Sequence, residues 1–246
     1  IKYDSFVRTT SQSHINFVHQ FFNRVNESGD IRIGRQQGWY CVGCEEYKDT
    51  PKNAIHPECN IHRRELEWRD EQNLFFRLSK YQKRIEELVS KEDFISPKSR
   101  KKEIINFVSN GLNDFSISRV NVQWGIPVPG YTGHTFYVWF DALLGYLSGT
   151  LYANNEINLQ LINDNGWPAS IHVIGKDILR FHAVYWPAML MSAGIDSLQA
   201  SEFVNVLSER LGTEISETDL FDHPTLNSIA TYATEQLSGS SFAVPI

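Results

Sequence analysis

Ile171-His172-Val173-Ile174-Gly175-Lys176-Asp177-Ile178-Leu179-Arg180-Phe181-His182 is the stretch on which the fold class turns. Its short apolar run reads as a buried strand, Gly175-Lys176-Asp177 as a loop, and Ile178 to about Ser192 as a helix. The same order occurs upstream, where Phe136 to Phe140 predicts a strand and Asp141 opens a helix through Ala142-Leu143-Leu144-Gly145-Tyr146-Leu147. Strand, loop and helix repeated in this way is the grammar of an α/β sheet, whose ligands gather at the carboxyl ends of strands.

Toward the N-terminus, Phe6, Phe17, Val18, Phe21, Phe22 and Val25 recur at helical intervals over residues 6 to 26, until Gly29-Asp30 breaks the pattern. Leu74, Phe75, Leu78, Tyr81, Ile85 and Leu88 predict a second amphipathic helix from Asp70 to Ser90. A third follows Ser96-Pro97 and runs to about Asn110, with Gly111 suited to its end. It opens on Lys98-Ser99-Arg100-Lys101-Lys102, a solvated helix start in preference to a nucleic-acid contact.

Between the first two helices, residues 31 to 64 are Gly- and Pro-punctuated and hold all three cysteines, which predicts a compact irregular module. Cys41-x2-Cys44 and Cys59-x2-His62 are two half-sites separated by 14 residues. A two-residue gap lets one tight turn aim both side chains at one ion, and zinc takes four such soft or borderline ligands in a tetrahedron. Gly43 permits the turn. Four protein ligands leave no open position, so the expected zinc is structural. All cysteines are used and none remains for a disulfide framework, which favours a reducing compartment, cytoplasmic or the interior of an organelle.

The chain has 246 residues, 41% of them apolar, enough for a substantial core. Its start, Ile1-Lys2-Tyr3-Asp4, has neither an initiator Met nor a signal-peptide layout and is expected to be the start of a fragment. No apolar run is long enough to span a bilayer, and no membrane partner is expected. The net charge of −6 is unevenly placed: eight acidic residues and one basic residue, Arg210, lie in 196–246, leaving 21 acidic and 22 basic before it. Such a break marks a boundary and removes net charge as evidence about nucleic acid in the first part.

Over residues 1 to 195 the sequence resembles methionyl-tRNA synthetases, class I enzymes that activate methionine with ATP and transfer it to tRNA. The resemblance runs through Phe6-Val7-Arg8-Thr9-Thr10, the Cys41/Cys44/Cys59/His62 knuckle, Asn73-Leu74-Phe75-Phe76-Arg77-Leu78-Ser79-Lys80-Tyr81, Ser118-Arg119 and Trp124-Gly125-Ile126-Pro127-Val128-Pro129. It continues through Val138-Trp139-Phe140-Asp141-Ala142, Gly175-Lys176-Asp177, Phe181-His182 and Trp186-Pro187-Ala188-Met189-Leu190. Leu143 is a departure, since many relatives have proline there.

The resemblance implies an α/β fold: a partial Rossmann-type catalytic domain with a zinc-knuckle insertion. It places a helix of the catalytic region in 1–30, the insertion in 31–70 and the second half of the catalytic domain in 71–195. It also implies that Trp139, Ala142, Tyr146, His182 and Trp186 line a methionine pocket, that Gly175 and Asp177 meet the adenosine, and that Arg119 meets the phosphates of ATP. Aromatic walls suit a polarisable thioether. No His-Ile-Gly-His-type or Lys-Met-Ser-Lys-Ser-type signature occurs in the chain, and the last lysine is Lys176. No catalytic residue is therefore assigned, and activation by this chain alone is expected to be weak or absent.

Gly194-Ile195-Asp196-Ser197-Leu198 in turn resembles the phosphopantetheine attachment motif of acyl carrier domains, and Phe221-Asp222-His223-Pro224-Thr225 follows at the distance seen in polyketide-synthase carriers. The resemblance implies an all-α partial carrier helical bundle over 196–246, phosphopantetheine on Ser197 and a phosphopantetheinyl transferase as partner. Ala200, Phe203, Val204, Leu207 and Leu211 form one helix face, and Leu226, Ile229, Ala230, Ala233 and Leu237 another. A zinc-stabilised module without catalysis is the remaining alternative.

Overall fold

The computed structural model describes residues 6–44, 46–48, 50–120, 122, 124–150, 162, 167–195, 231, 232 and 234. Helix α1 spans Gln12–Glu27. It starts later than its apolar pattern because Ser11 caps it, accepting the His14 N–H on its hydroxyl at 3.4 Å. Its buried face is Phe17, Val18, Phe21, Phe22 and Val25, and Gly29, at φ 75°, turns the chain out of the helix.

The cysteine-bearing module is less irregular than its composition predicts. Strand β1 (Ile31–Cys41) pairs antiparallel with β3 (Glu67–Phe76) in a ladder from Ile31↔Phe76 to Tyr40↔Glu67. Strand β2 (Glu46–Lys48) flanks β1 on one side, and β4 (Phe115–Ser116) flanks β3 on the other, giving the order β2-β1-β3-β4. The helix predicted from Asp70 to Ser90 is therefore corrected: residues 67–76 are strand, Leu78–Tyr81 is a 3-10 turn, and α2 occupies Gln82–Ser90. Leu74 and Phe76 are fully buried in the sheet, and burial against β1 outweighs a coincidental helical spacing.

Helix α3 (Lys98–Ser109) ends as expected, with Gly111 at φ 89° just beyond it. Its basic opening is engaged with protein: Lys101 Nζ donates to the carbonyls of Ser90 and Lys91 at the end of α2, and Arg100 pairs with Glu103 at 2.8 Å.

Both predicted strands of the α/β pattern are corrected. In the first, β6 (His134–Phe136) pairs antiparallel with β5 (Ser118–Val120) but stops at Phe136, and α4 takes over at Val138 and runs to Ser148. A run of five apolar residues fits either state, and the spacing of Phe140, Leu143, Leu144 and Leu147, all buried, decides for helix. In the second, Ile171 to Ile174 joins no ladder among the described residues, and Ile171 and Val173 are 78% and 94% exposed. All strand pairs among the described residues are antiparallel.

The predicted helix from Ile178 begins as a 3-10 turn over Lys176–Ile178, widens to a π-helical turn over Phe181–Tyr185, and ends as α5 (Trp186–Ala193). One core joins α1, α4 and α5. Phe140 stacks on Phe136 with ring centroids 5.0 Å apart, Phe22 meets Phe136 edge-on at 5.3 Å, and Phe21 lies over Trp186 at 6.5 Å.

A buried polar joint ties the base of the β1–β3 hairpin to α5. Asp30 is fully buried, and its carboxylate accepts from Lys80 Nζ at 2.6 Å, the Tyr81 hydroxyl at 2.5 Å, the Ser192 hydroxyl at 2.8 Å and the Ser28 hydroxyl at 3.1 Å. Burial alone would raise its pKa, but the bonds from Lys80, Tyr81 and Ser192 prevail and hold it below the ordinary carboxylate value.

Candidate functional site

Two constellations carry chemistry, one at the end of the hairpin and one where α4 faces the helix through Phe181 to Ala193. At the hairpin, Cys41, Cys44, Cys59 and His62 converge with all their ligand atoms within 4.8 Å of one another. Cys41 ends β1, and Cys59 is held by its own carbonyl accepting from Arg63 N–H and its N–H donating to Arg64 O, both at 2.8 Å. The His62 Nδ1 atom lies 3.7 Å from Cys41 Sγ, 3.2 Å from Cys44 Sγ and 3.8 Å from Cys59 Sγ, and Cys44 and Cys59 are 3.6 Å apart. A tetrahedron with zinc bonds of about 2.0–2.3 Å has edges of about 3.3–3.8 Å, so the donor set fits zinc. The histidine nitrogen that faces the three sulfurs is Nδ1.

Gly43 completes the cradle. A Cβ there would sit 2.9 Å from the His62 ring, so the first knuckle requires glycine for space, while its backbone, with no positive φ, does not need glycine for the turn. The Cys59 thiol is drawn down to about 6, chiefly by the His62 backbone N–H and against the effect of burial. A thiol with such a pKa is thiolate at neutral pH, the form a metal binds.

The second constellation is an aromatic box. Trp139, Ala142 and Tyr146 lie on one face of α4, at i, i+3 and i+7. His182 Nε2 is 2.8 Å from the Tyr146 hydroxyl, and its Nδ1 is 2.9 Å from the Ile178 carbonyl. A carbonyl only accepts, so the neutral imidazole carries its proton on Nδ1 and takes the Tyr146 proton on Nε2. Trp186 is buried beneath, with its ring centroid 6.3 Å from Tyr146, and its indole N–H has no partner among the described residues. All five predicted pocket residues thus share one region.

The structure adds three residues to this box. Phe181 stacks flat on Trp139 at 4.1 Å and 10°, His172 meets Tyr146 edge-on at 5.0 Å, and Trp167 crosses Trp186 at 5.8 Å. Phe181 directly precedes His182, and that adjacency was the available signal; His172 lies in the run read as a strand, which says nothing of its ring contacts, and Trp167 lies in no periodic pattern. Burial, with the nearby His182 second, lowers the His172 pKa, and burial raises that of Tyr146, so both favour their neutral forms. The cluster is built of aromatic rings packed on one another, with no acidic or basic side chain other than the two imidazoles.

The residues expected at ATP are not gathered in the same way. Gly175 starts the 3-10 turn, where its carbonyl accepts from Ile178 N–H at 3.2 Å, and Asp177 pairs with Lys176 at an exposed position. Arg119 is buried elsewhere: Nη1 donates to Ser116 Oγ and Ser118 O, each at 2.8 Å, and the guanidinium lies 3.9 Å over the Tyr137 ring. Ser197 and both predicted helix faces of the tail lie outside the described residues, apart from residues 231, 232 and 234.

With this geometry in place, comparison with known proteins is informative. The family model of class I tRNA synthetases (M) matches residues 1–50 and 48–223. The chain belongs to that family. It is 52% identical over 223 residues to the methionine–tRNA ligase of Nostoc sp., which covers 89% of this chain and 42% of that protein. With the chloroplastic/mitochondrial methionine–tRNA ligase of Arabidopsis thaliana it shares 51% identity over 197 residues, 80% of this chain and 32% of the relative. The crystal structure of Mycobacterium tuberculosis methionyl-tRNA synthetase bound by methionyl-adenylate superposes with a TM-score of 0.70 at 40% identity, covering 80% of this chain and 39% of that one. The fold is thus that of a class I synthetase catalytic domain, Rossmann-like and α/β. The chain spans less than half the length of these relatives. Among the described residues, no helix is long and apolar enough to cross a membrane.

Proposed function

We propose that this chain supplies the methionine side-chain pocket and the structural zinc knuckle of a methionine–tRNA ligase, which activates methionine with ATP and passes it to tRNA. The observation that carries the reading is the neutral aromatic box of Trp139, Phe181, Tyr146, His182 and Trp186, in a chain whose structural relatives include one bound by methionyl-adenylate. A thioether has no charge and one weak acceptor, so a receptacle for it needs polarisable walls and at most one soft polar contact. Tyr146 cannot donate to the sulfur as well, because its proton is committed to His182, so what it offers the thioether is the polarisable face of a ring fixed in place. Gly175, Asp177 and Arg119 are assigned to ATP on the family pattern. The zinc, when bound to Cys41, Cys44, Cys59 and His62, contributes fold stability and leaves no position for substrate.

Equilibrium dialysis of the chain against methionine and against isosteric norleucine tests the pocket. Methionine should bind measurably tighter than norleucine, and Trp139→Ala, which removes one wall, should weaken binding at least tenfold. Equal retention of both ligands, or none of either, would reject the pocket.

For the tail, the finer reading assigns phosphopantetheine to Ser197, on the strength of Gly194-Ile195-Asp196-Ser197-Leu198 and Phe221-Asp222-His223-Pro224-Thr225. The synthetase family model runs on to residue 223, so the carrier reading rests on those two motifs alone. The arm would be added by a phosphopantetheinyl transferase.

A further inference from the structure

We infer that Pro187 sets the register of His182 and Phe181 by imposing the π-helical turn that precedes it, which makes Pro187 a positioning residue for the aromatic box. Its consequence for ligand binding rests on the methionine-pocket reading above; its structural content does not. The helix is α-helical at Leu179 and Arg180, widens over Phe181–Tyr185, and returns to α-geometry from Trp186 to Ala193. In the widened turn the Trp186 N–H donates to the Phe181 carbonyl, five residues back rather than four.

Pro187 is the second residue of α5 and explains the widening. In an unbroken α-helix position 187 would donate to the Ala183 carbonyl, but proline has no N–H, and its ring would press on that same carbonyl. One extra residue in the turn moves the carbonyl clear. The His182 carbonyl then has neither helical donor, since Trp186 N–H is committed to Phe181 and position 187 has none to give. Such a turn weakens the backbone locally, and π-turns of this kind cluster at functional sites.

What the turn gains is side-chain placement. One inserted residue rotates everything before it by about 100° relative to α5. Phe181 thereby stacks on Trp139 at 4.1 Å, His182 reaches the Tyr146 hydroxyl at 2.8 Å and Tyr185 stacks on Phe115 at 4.4 Å, while Trp186 stays beneath Tyr146. Without the insertion, Ala183 would occupy the place of His182, and a methyl group cannot reach that hydroxyl.

The test is Pro187→Ala in the 246-residue chain, with three readouts: melting temperature, 15N shifts of the His182 ring nitrogens at pH 7.5, and methionine affinity by equilibrium dialysis. The variant should melt at or above the wild-type temperature, because an α-helical bond becomes available. It should lose the hydrogen-bonded Nδ1–H tautomer of His182 and bind methionine at least tenfold more weakly. Adding His182→Phe and Ala183→His to it should restore both the ring against Trp139 and a hydrogen-bonded imidazole, and bring the affinity within threefold of wild type. An unchanged His182 signature in Pro187→Ala overturns the inference, as does a drop in melting temperature of more than 5 °C or failure to fold, either of which would make Pro187 a stabilising element. If the wild-type chain itself does not bind methionine, the pocket reading falls, while the ring-nitrogen shifts and melting temperature still decide the role of Pro187.

Discussion

In the knuckle all four ligands come from residues 41 to 62 and meet at the end of one hairpin, whereas the aromatic box draws Trp139 and Tyr146 from α4 and Phe181, His182 and Trp186 from a helix some 40 residues further on. The knuckle has little apolar core of its own: Cys41, Cys59 and Leu66 form a small separate cluster. The box sits on the main core, with Trp186 packed on Phe21 and α4 anchored by the fully buried Phe140. A short-range site held by a metal can fail alone. A long-range site held by packing fails with its neighbours.

The largest expected effect would separate the two. Cys59→Ala removes a ligand, and structural zinc is worth about 10–16 kcal/mol to small modules of this kind. Zinc per chain should fall from one to below about 0.1, and proteolysis should cut between 41 and 66 while the fluorescence melt of the tryptophan-rich core persists. Core and knuckle unfolding together would show that they are one cooperative unit.

A smaller effect should connect them. Asp30 joins the hairpin base, through Lys80 and Tyr81, to α5 through Ser192. Asp30→Ala strands the buried Tyr81 and Ser192 hydroxyls, while the half-exposed Lys80 can turn to water, so urea unfolding should show a loss of about 2 kcal/mol. A loss below about 1 kcal/mol would mean that water replaces the carboxylate and that the two regions are independent. Since the folded pKa of Asp30 is depressed, its contribution is present above the unfolded value near 3.8 and fades as pH falls through the folded one.

The smallest effect is confined to α4. Burial raises the Asp141 carboxyl to about 7, although the free N–H groups in the first turn of α4 oppose the shift. A raised pKa means that stability is greatest below the unfolded value of 3.8 and declines as pH rises toward about 7, levelling off above it. Asp141→Asn should remove that decline and leave the protein more stable at pH 8, by about 1 kcal/mol once the roughly 4 kcal/mol that the full shift implies is discounted for solvent access and for the helix N-terminus that favours the charge. Melting curves of both proteins at pH 5 and pH 8 would check this. Parallel pH dependence in the two would assign the decline to other groups.

From the sequence alone, the convergence of Cys41, Cys44, Cys59 and His62 was readable, because tetrahedral coordination fixes spacing along a short piece of chain. The residues assigned to the pocket were singled out through their motifs, and helical spacing puts Trp139, Ala142 and Tyr146 on one face once α4 is seen to reach back to Val138. The secondary structure around them was less so. Residues 67–76 carry a helical rhythm yet lie in a strand, and 136–140 read as strand yet turn into helix, because in both places partners far along the chain decide which backbone buries the same apolar side chains. The tautomer of His182, the burial of Arg119 under Tyr137 and the four donors around Asp30 were likewise set by tertiary structure. Each depends on hydrogen bonds or ring contacts between groups whose separation in sequence carries no signal, whereas metal ligation and helix periodicity leave their geometry in the order of the residues themselves.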